Sequence, residues 1–413
     1  LKPNMETLQR TANRGSVSTG YDIDYSVKLQ DTASEYFQRA ASGSDGDRRT
    51  MTLSIWLKRT QPGNDHIFYS QGSHVRFRFK TSDYFSLRLA NGHEFENENR
   101  KFRDPSAWYH MVVAIDTTQS TDTNRVKIYW NGVQETTFNT AQYPDQNEEL
   151  TLGQFSSVTT QLGWFVESGY GFDGYFAEVQ YIDGLQKAPT DFGKFDPASG
   201  IWQPIEYTGS YGTEGFYLNF SAAGDMGNDS VNNNDFAVQN INQNDQATDT
   251  PTNNFCTWSP LWVYATNRTV FQGATNLEGS SAWGGCKGTI GVTNGKWYWE
   301  NKASGNDTII GWQSDGPGDI YSGNAHNVLD TIGLYQDGNY IWIKDSTSGR
   351  NDTSASGSNA SGQIIGFALD LDSSPQTATF YRNGSAIASD VNIDGLTGKT
   401  LFPFISQYNQ NTE

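Results

Sequence analysis

Phe172-Asp-Gly-Tyr-Phe-Ala-Glu-Val-Gln-Tyr-Ile-Asp-Gly-Leu185 decides how the chain is read. Between Tyr175 and Ile182 the apolar residues Phe176, Val179 and Ile182 stand among aromatics. Gly174 precedes the run and Asp183-Gly184 follows it, which predicts a half-buried strand bounded by turns. Working outward, Thr52-Leu-Ser-Ile-Trp-Leu57 alternates Leu53, Ile55 and Leu57 with Thr52, Ser54 and Trp56, giving one apolar face and one face with an indole. His74-Val-Arg-Phe-Arg-Phe79 and Tyr84-Phe-Ser-Leu-Arg-Leu89 repeat the alternation, with Arg76, Arg78 and Arg88 on the wet side. Trp108-Tyr-His-Met-Val-Val-Ala-Ile115 is nearly continuous, as a central strand should be, and Ser26-Val-Lys-Leu29 is the first strand candidate. Val126-Lys-Ile-Tyr-Trp130 runs into Asn131-Gly132, a dipeptide that supplies positive φ to a tight hairpin, with Gln134 to Phe138 as the return strand. Strands at roughly 10-residue spacing, without a sustained helical period, predict a two-sheet sandwich.

Composition agrees. Short apolar runs separated by Gly, Asn, Ser and Thr mark an all-β protein, and 12 Trp in 413 residues provide material for more than one core. A net charge of -18 and a pI of about 4.6 disfavour a phosphate backbone as partner, and no stretch gathers Lys and Arg into a basic stripe, so no nucleic acid is expected. No apolar run approaches the roughly 20 residues of a membrane span, which leads us to expect a soluble protein. Cys256 and Cys286 could pair, but two cysteines are too few for a disulfide scaffold, and two buried free thiols are the preferred reading.

The chain divides by character. Residues 1–22 mix polar types without period and read as an extended arm; residues 23–190 hold the strands above. Residues 191–255, rich in Asn, Asp, Gln, Ser and Thr after residue 220, read as a connector with short strands, held by apolar pegs such as Phe236, Val238 and Ile241. A second set of alternating strands occupies residues 256–413. It includes Gly295-Lys-Trp-Tyr-Trp-Glu300, Ile309-Ile-Gly-Trp312, Thr331-Ile-Gly-Leu-Tyr335, Ile365-Gly-Phe-Ala-Leu-Asp-Leu-Asp372, Ala378-Thr-Phe-Tyr-Arg-Asn-Gly384 and Leu401-Phe-Pro-Phe-Ile405.

In their order, Leu53-Ser-Ile-Trp-Leu-Lys58, Ala107-Trp-Tyr-His-Met-Val-Val-Ala114, Val126-Lys-Ile-Tyr-Trp-Asn-Gly-Val133 and the opening strand resemble the laminin G-like, concanavalin A-like lectin domains. Phe102-Arg-Asp-Pro-Ser-Ala-Trp-Tyr109, Phe192-Gly-Lys-Phe-Asp-Pro-Ala-Ser-Gly-Ile-Trp202 and Tyr211-Gly-Thr-Glu-Gly-Phe-Tyr-Leu-Asn-Phe220 are similar to lectin-like proteins of tailed bacteriophages and prophages. The strands after Cys256 resemble a SPRY (B30.2-like) domain. The resemblances imply a concanavalin A-like jelly roll followed by a SPRY-like sandwich in which a further strand normally follows the Pro403-Phe404 motif; that strand is expected either to be missing from this sequence, leaving the domain incomplete at its C-terminal end, or to be supplied by another segment.

Candidate sites follow. Glu178 and Asp183 are five residues apart, on opposite faces of a regular strand, and therefore make a poor carboxylate pair for glycoside hydrolysis. Asp370 and Asp372 share a face, but the SPRY resemblance implies structural roles for them. No nucleophile elbow, zinc-protease helix or phosphate loop is present, so no catalytic residue is assigned and an enzyme is not expected. His110 reads as a strand residue. Trp164, Phe165, Glu167 and Tyr170, in the Gly-punctuated stretch Gln161 to Tyr170, are candidate ligand-binding residues, because exposed rings stack on sugars while neighbouring polar groups bond their hydroxyls. Asp319, Tyr321 and His326 form a second candidate set in the polar loop Gln313 to His326, of the kind SPRY domains use for recognition. No cofactor is required, but Asp45 and Asp47 are candidate calcium ligands, with Arg48 and Arg49 as competitors for their carboxylates.

The expectation is a non-enzymatic phage protein on the virion surface, a tail fibre, spike or capsid appendage that binds host cell-surface glycan and other virion proteins. The phage resemblance adds a homotrimer, as phage fibres are commonly built. Two alternatives stand beside it: a purely structural decoration protein that binds only neighbouring subunits, and a polysaccharide depolymerase.

Overall fold

The strand Gly174–Asp183 lies at the middle of an antiparallel eight-stranded sheet in a computed structural model that describes residues 20–165, 167, 169–264, 268–279, 283–302, 308–315, 330–335, 340–345, 349–355, 362–408 and 411–412. The chain forms two compact units, Leu1–Phe255 and Cys256–Glu413. Among the described residues both are built from β-strands with short 3-10 turns, and no helix is long and apolar enough to cross a membrane.

In the first unit, one sheet runs Val133–Gln134, Val126–Trp130, Trp108–Asp116, Thr50–Arg59, Gly174–Asp183, Ser26–Leu29 and Gln246–Ala247, with Phe216–Leu218 also paired to Gly174–Asp183. The second runs Thr140–Ala141, Glu94–Glu96, Phe85–Arg88, Val75–Phe79, His66–Gln71, Thr160–Leu162, Tyr36–Arg39 and Ala237–Gln239. The alternating apolar residues meet between the sheets, where Leu53, Ile55, Leu57, Phe77, Leu87, Val113 and Phe176 share one core. The hairpin after Trp130 turns on Asn131 and Gly132, at φ 48° and 77°, as the dipeptide predicts, but its return strand is only Val133–Gln134.

Two expectations change. The opening strand is not half-buried: residues Gly174 through Ile182 are all buried, and so are nine of the ten residues of Thr50–Arg59. The cover on the outer face comes from the stretch read as a connector. Phe192, Trp202, Tyr207 and Tyr211 lie over Trp56, His110, Val112 and Ile182, while the short strands Phe216–Leu218, Ala237–Gln239 and Gln246–Ala247 extend both sheets. Its polar residues also work as anchors. Lys58, fully buried, donates to Asp249 at 2.7 Å, Asn254 at 2.9 Å and the Phe255 carbonyl at 3.2 Å, and the Trp108 indole donates to the same Asp249 at 2.9 Å. A buried ammonium without those acceptors would be far too costly to keep, so residues 249–255 are part of this sandwich.

The second unit packs a seven-stranded sheet against the four-stranded sheet of Lys296–Lys302, Ile364–Asp370, Thr377–Arg382 and Ser385–Asn392. Trp258, Ile310, Trp312, Leu334, Phe367, Leu369 and Phe380 belong to its core. Asn383-Gly384 turns a hairpin as expected, at φ 47° and 77°. Asn411–Thr412 pairs with Asn276–Gly279 in a separate three-stranded sheet. The cysteines are free, as read, but only Cys286 is buried; Cys256 is exposed.

Candidate functional site

The register of the second sheet of the first unit sets out the site. Phe37, Leu162, Tyr69, Phe77, Leu87 and Phe95 stand opposite one another across neighbouring strands and face the core. Because side chains alternate at period two, the residues one step along must form a row on the other face: Gln38, Gln161, Ser70, Arg76, Arg88 and Glu94. A second row on the same face holds Arg78, Ser86, Glu96 and Thr140. Three arginines thus gather on one face of an acidic protein. The sequence shows no basic stripe; the strand register creates one.

Arg76 and Arg88 are direct cross-strand partners, an arrangement of like charges that destabilises a sheet. Neither has an ion-pair partner among the described residues, and Arg78 reaches only Asp65, at 3.9 Å. Burial lowers the Arg76 pKa; Arg78 and Arg88 lower it further, while Glu94 and Glu167 pull the other way. The Nε of Arg76, the Nε of Arg78 and the Oγ of Ser86 are buried without a hydrogen-bond partner.

A small hairpin of Trp164–Phe165 and Tyr170–Gly171 lies beside these rows. Ser70 Oγ donates to the Trp164 carbonyl at 2.8 Å, and the Gly171 N–H donates to Asp31 at 2.6 Å, so one strand of the hairpin is tied to the sheet and the other to the 3-10 turn Asp31–Ala33. Trp164 stacks on Tyr36 at 5.5 Å with 14° between ring planes. Phe165, expected as a sugar platform, is 2 % exposed and instead lies 5.1 Å from the Arg76 guanidinium, which it helps to hold. Tyr170 is the open ring, 47 % exposed, and Glu167 is exposed as well. Chemically, the face offers ring surfaces at one end, the half-buried amide of Gln38 beside them, a buried Ser70–Gln161 pair already hydrogen-bonded within the protein, and guanidinium donors beyond.

The remaining candidates fare differently. Asp319, Tyr321 and His326 lie outside the described residues. Asp45 accepts the Ser156 N–H at 2.9 Å across 111 residues, with Arg48 at 3.9 Å, while Asp47 caps its own loop by accepting from Arg49 N and Thr50 N at 2.9 and 3.0 Å. Among the described residues no three His, Cys, Asp or Glu side chains converge as a metal would need. Asp370 bonds Lys296 at 2.8 Å and caps Ser373 N at 3.0 Å, while Asp372 accepts the Gly295 N–H at 2.8 Å.

Sequence reasoning missed one cluster. A bulge between Ala177 and Gln180 puts Glu178 at φ 49°, a left-handed conformation that is strained for a side chain of its size. Its carboxyl, 5 % exposed, accepts from Tyr217 at 2.6 Å, Tyr21 at 2.9 Å and Gln180 at 3.2 Å; burial raises its pKa to about 7 against the lowering effect of those donors. His110 is also more enclosed than its strand position suggested. It stacks on Trp56 at 4.6 Å, its Nδ1 accepts the Trp202 indole N–H at 2.9 Å, and its Nε2 bonds Ser54 at 2.8 Å. An indole nitrogen can only donate, so the ring proton sits on Nε2, and burial lowers the imidazole pKa to about 3.

Residues 31–185 match the concanavalin A-like lectin/glucanases superfamily, so the first sandwich contains a concanavalin A-like, laminin G-like domain. Among solved structures the chain is similar to the SPRY domain of human HERC1, at 18 % identity over 38 % of this chain and 95 % of that one, with a TM-score of 0.31. The TRIM65 PSpry domain is similar at 16 % identity over 38 % and 87 %, with a TM-score of 0.31. The native heptameric SAP-like pentraxin from Limulus polyphemus is similar at 13 % identity over 40 % and 80 %, with a TM-score of 0.29. Likenesses this distant carry no weight for function. No curated protein matches the sequence.

Proposed function

We propose that the chain is a non-enzymatic carbohydrate-binding protein that engages glycan on the solvent face of the second sheet of its first unit. The observation that carries this reading is the Tyr36–Trp164 stack, with half-buried Gln38 on the same strand face as Tyr36 and the exposed Tyr170 ring on the adjoining hairpin, on one concanavalin A-like domain; Gln161 and Ser70 beside them are buried and bonded to Gln38 and to the Trp164 carbonyl. Rings cover the apolar faces of sugars while amides and hydroxyls pair with their hydroxyl groups, and a preformed sheet surface loses little conformational entropy on binding. In favour of a binding role without hydrolysis, Glu178, a carboxyl whose pKa is raised to about 7, is enclosed by three side-chain donors. The phage-like segments at 102–109, 192–202 and 211–220 favour display on a virion surface, where several copies would raise avidity for a host cell by orders of magnitude.

The test is a glycan array probed with the purified chain, with and without EDTA. Binding that falls at least about ten-fold in Tyr170→Ala, without release of reducing ends, is the expected result. Silence across glycans together with tight binding to capsid or tail protein would replace this reading with that of a structural virion component. Release of reducing ends would make the chain a depolymerase.

A further inference from the structure

We infer that the glycan recognised on this face is anionic, with a carboxylate, sulfate or phosphate group seated on Arg76, Arg78 and Arg88; the inference rests on the carbohydrate-binding reading above. Three observations converge on it. The arginines occupy adjacent positions on one sheet face, with Arg76 and Arg88 directly opposed and the buried Ser86 directly opposite Arg78. Cross-strand neighbours stand about 5 Å apart, so the guanidinium groups can converge on one small anion. Arg78 lies 3.9 Å from Asp65 and Glu94 stands opposite Arg88, but Arg76 and Arg88, which repel each other, have no carboxylate within ion-pair distance among the described residues, a cost in stability that an outside anion would offset.

The second observation is unused donor capacity. Arg76 Nε and Arg78 Nε are buried and lack acceptors, so the donors that could face an anion are the guanidinium ends of these half-buried side chains. A buried donor left unpaired is costly, and planar guanidinium forks match an oxyanion better than any other side chain does. The third is the order of groups along the rows. Moving from the arginines toward Tyr36–Arg39, the row itself is uncharged, through buried Ser70 and Gln161 and half-buried Gln38 to the Tyr36–Trp164 stack, with Glu167 on the neighbouring hairpin near enough to act on Arg76. Moving the other way, it carries Glu94 and Glu96. An anionic sugar therefore fits in one direction, with its charge on the guanidinium groups and its ring toward the aromatics. The flanking glutamates repel a polyanion such as a nucleic acid that would run on past the arginines.

The experiment titrates the full chain with four probes: polygalacturonate oligomers for carboxylate, sulfated dextran for sulfate, poly(glycerol phosphate) for phosphate, and plain dextran as the neutral sugar. At least one anionic probe should bind about ten-fold more tightly than dextran, and the advantage should shrink when NaCl is raised from about 50 to about 300 mM. The variant carrying Arg76→Gln and Arg88→Gln should fall to the dextran level, while Lys194→Gln, on an exposed strand residue away from these rows, should not change the ranking. Because the substitution removes two opposed charges, its melting temperature should match or exceed the parent's. Should it melt lower, Arg76→Lys, which keeps the charge and loses the fork, must still weaken the anionic advantage. Equal binding of dextran and all anionic probes, reduced by Tyr170→Ala, overturns this inference and leaves the carbohydrate reading intact. No binding of any sugar overturns the carbohydrate reading and this inference with it.

Discussion

Glu178 and His110 both project from strands of the first sheet, and burial drives their protonation in opposite directions. Glu178 has a carboxyl raised from 4.5 to about 7, so the folded chain holds that proton more tightly than the unfolded chain. Its contribution to stability is complete below about pH 4.5 and declines as pH rises through about 7. His110 is lowered from 6.5 to about 3, so the unfolded chain takes the proton first, and stability falls as pH drops below about 6.5 toward 3. Between about pH 4.5 and 6.5 the two slopes oppose each other, and single substitutions should separate them. Thermal melts from pH 4 to 8 should show Glu178→Gln gaining stability with pH more steeply than the parent, whereas His110→Gln should lose stability with rising pH. Parallel pH profiles for parent and Glu178→Gln would mean that the buried carboxyl is ionised throughout. The cysteines supply a second test at this scale. Cys256 should react with a thiol reagent in the native chain and Cys286, with no exposed surface and a thiol pushed up by burial, only on unfolding. Two fast-reacting thiols would contradict the packing of the second core.

Among the elements, the hairpin at Asn131-Gly132 and the aromatic cover meet at one atom pair. A Cβ on Gly132 would stand 2.3 Å from the Trp202 ring, at a backbone φ of 77° that an L side chain resists. Gly132→Ala should therefore destabilise the first unit twice over, by strain in the turn and by pushing Trp202 off His110. Trp202→Ala, which removes the buried ring and leaves His110 Nδ1 without its donor, should cost about 3–5 kcal/mol in chemical denaturation. The two losses should not add when combined, since both act on the same contact. The alternation of Leu53, Ile55 and Leu57, and of Val75, Phe77 and Phe79, was legible because each strand has one face in the core. Asn131-Gly132 and Asn383-Gly384 were legible because their conformation is local. The arginine cluster was legible only in part: the alternation put Arg76, Arg78 and Arg88 on the wet side, but that Arg76 faces Arg88 depends on the register of the two strands. Phe165 was misread for a related reason, since a ring in a Gly-rich loop looks exposed until the sheet beneath it is known.

For the molecule as a whole, the two units each bury their own core, and the boundary between them falls at Phe255 and Cys256. Composition hid the role of residues 191–255, because Asn and Asp look like tether material when their partners are unknown. Asp249 is instead the acceptor for a buried lysine and a buried indole, and Asp229 caps Tyr217 N at 2.8 Å. A chain ending at residue 190 should accordingly fail to give a cooperative melt, while one ending at residue 255 should melt cooperatively and show the far-ultraviolet signature of a β-protein. Cooperative unfolding of the shorter chain would demote the later residues to an appendage.

The pairing of Ser26–Leu29 with Gln246–Ala247, and the bond from Ser26 Oγ to the Asp249 carbonyl across 223 residues, dictate when this sandwich can close. As the nascent chain leaves the ribosome, its earliest strand has a bare edge and waits for the last segment of its own unit, so local contacts cannot finish the job vectorially. Such late, long-range closure makes for slow folding and a prolonged sticky interval, during which chaperone capture or pairing with a sister chain competes with self-completion.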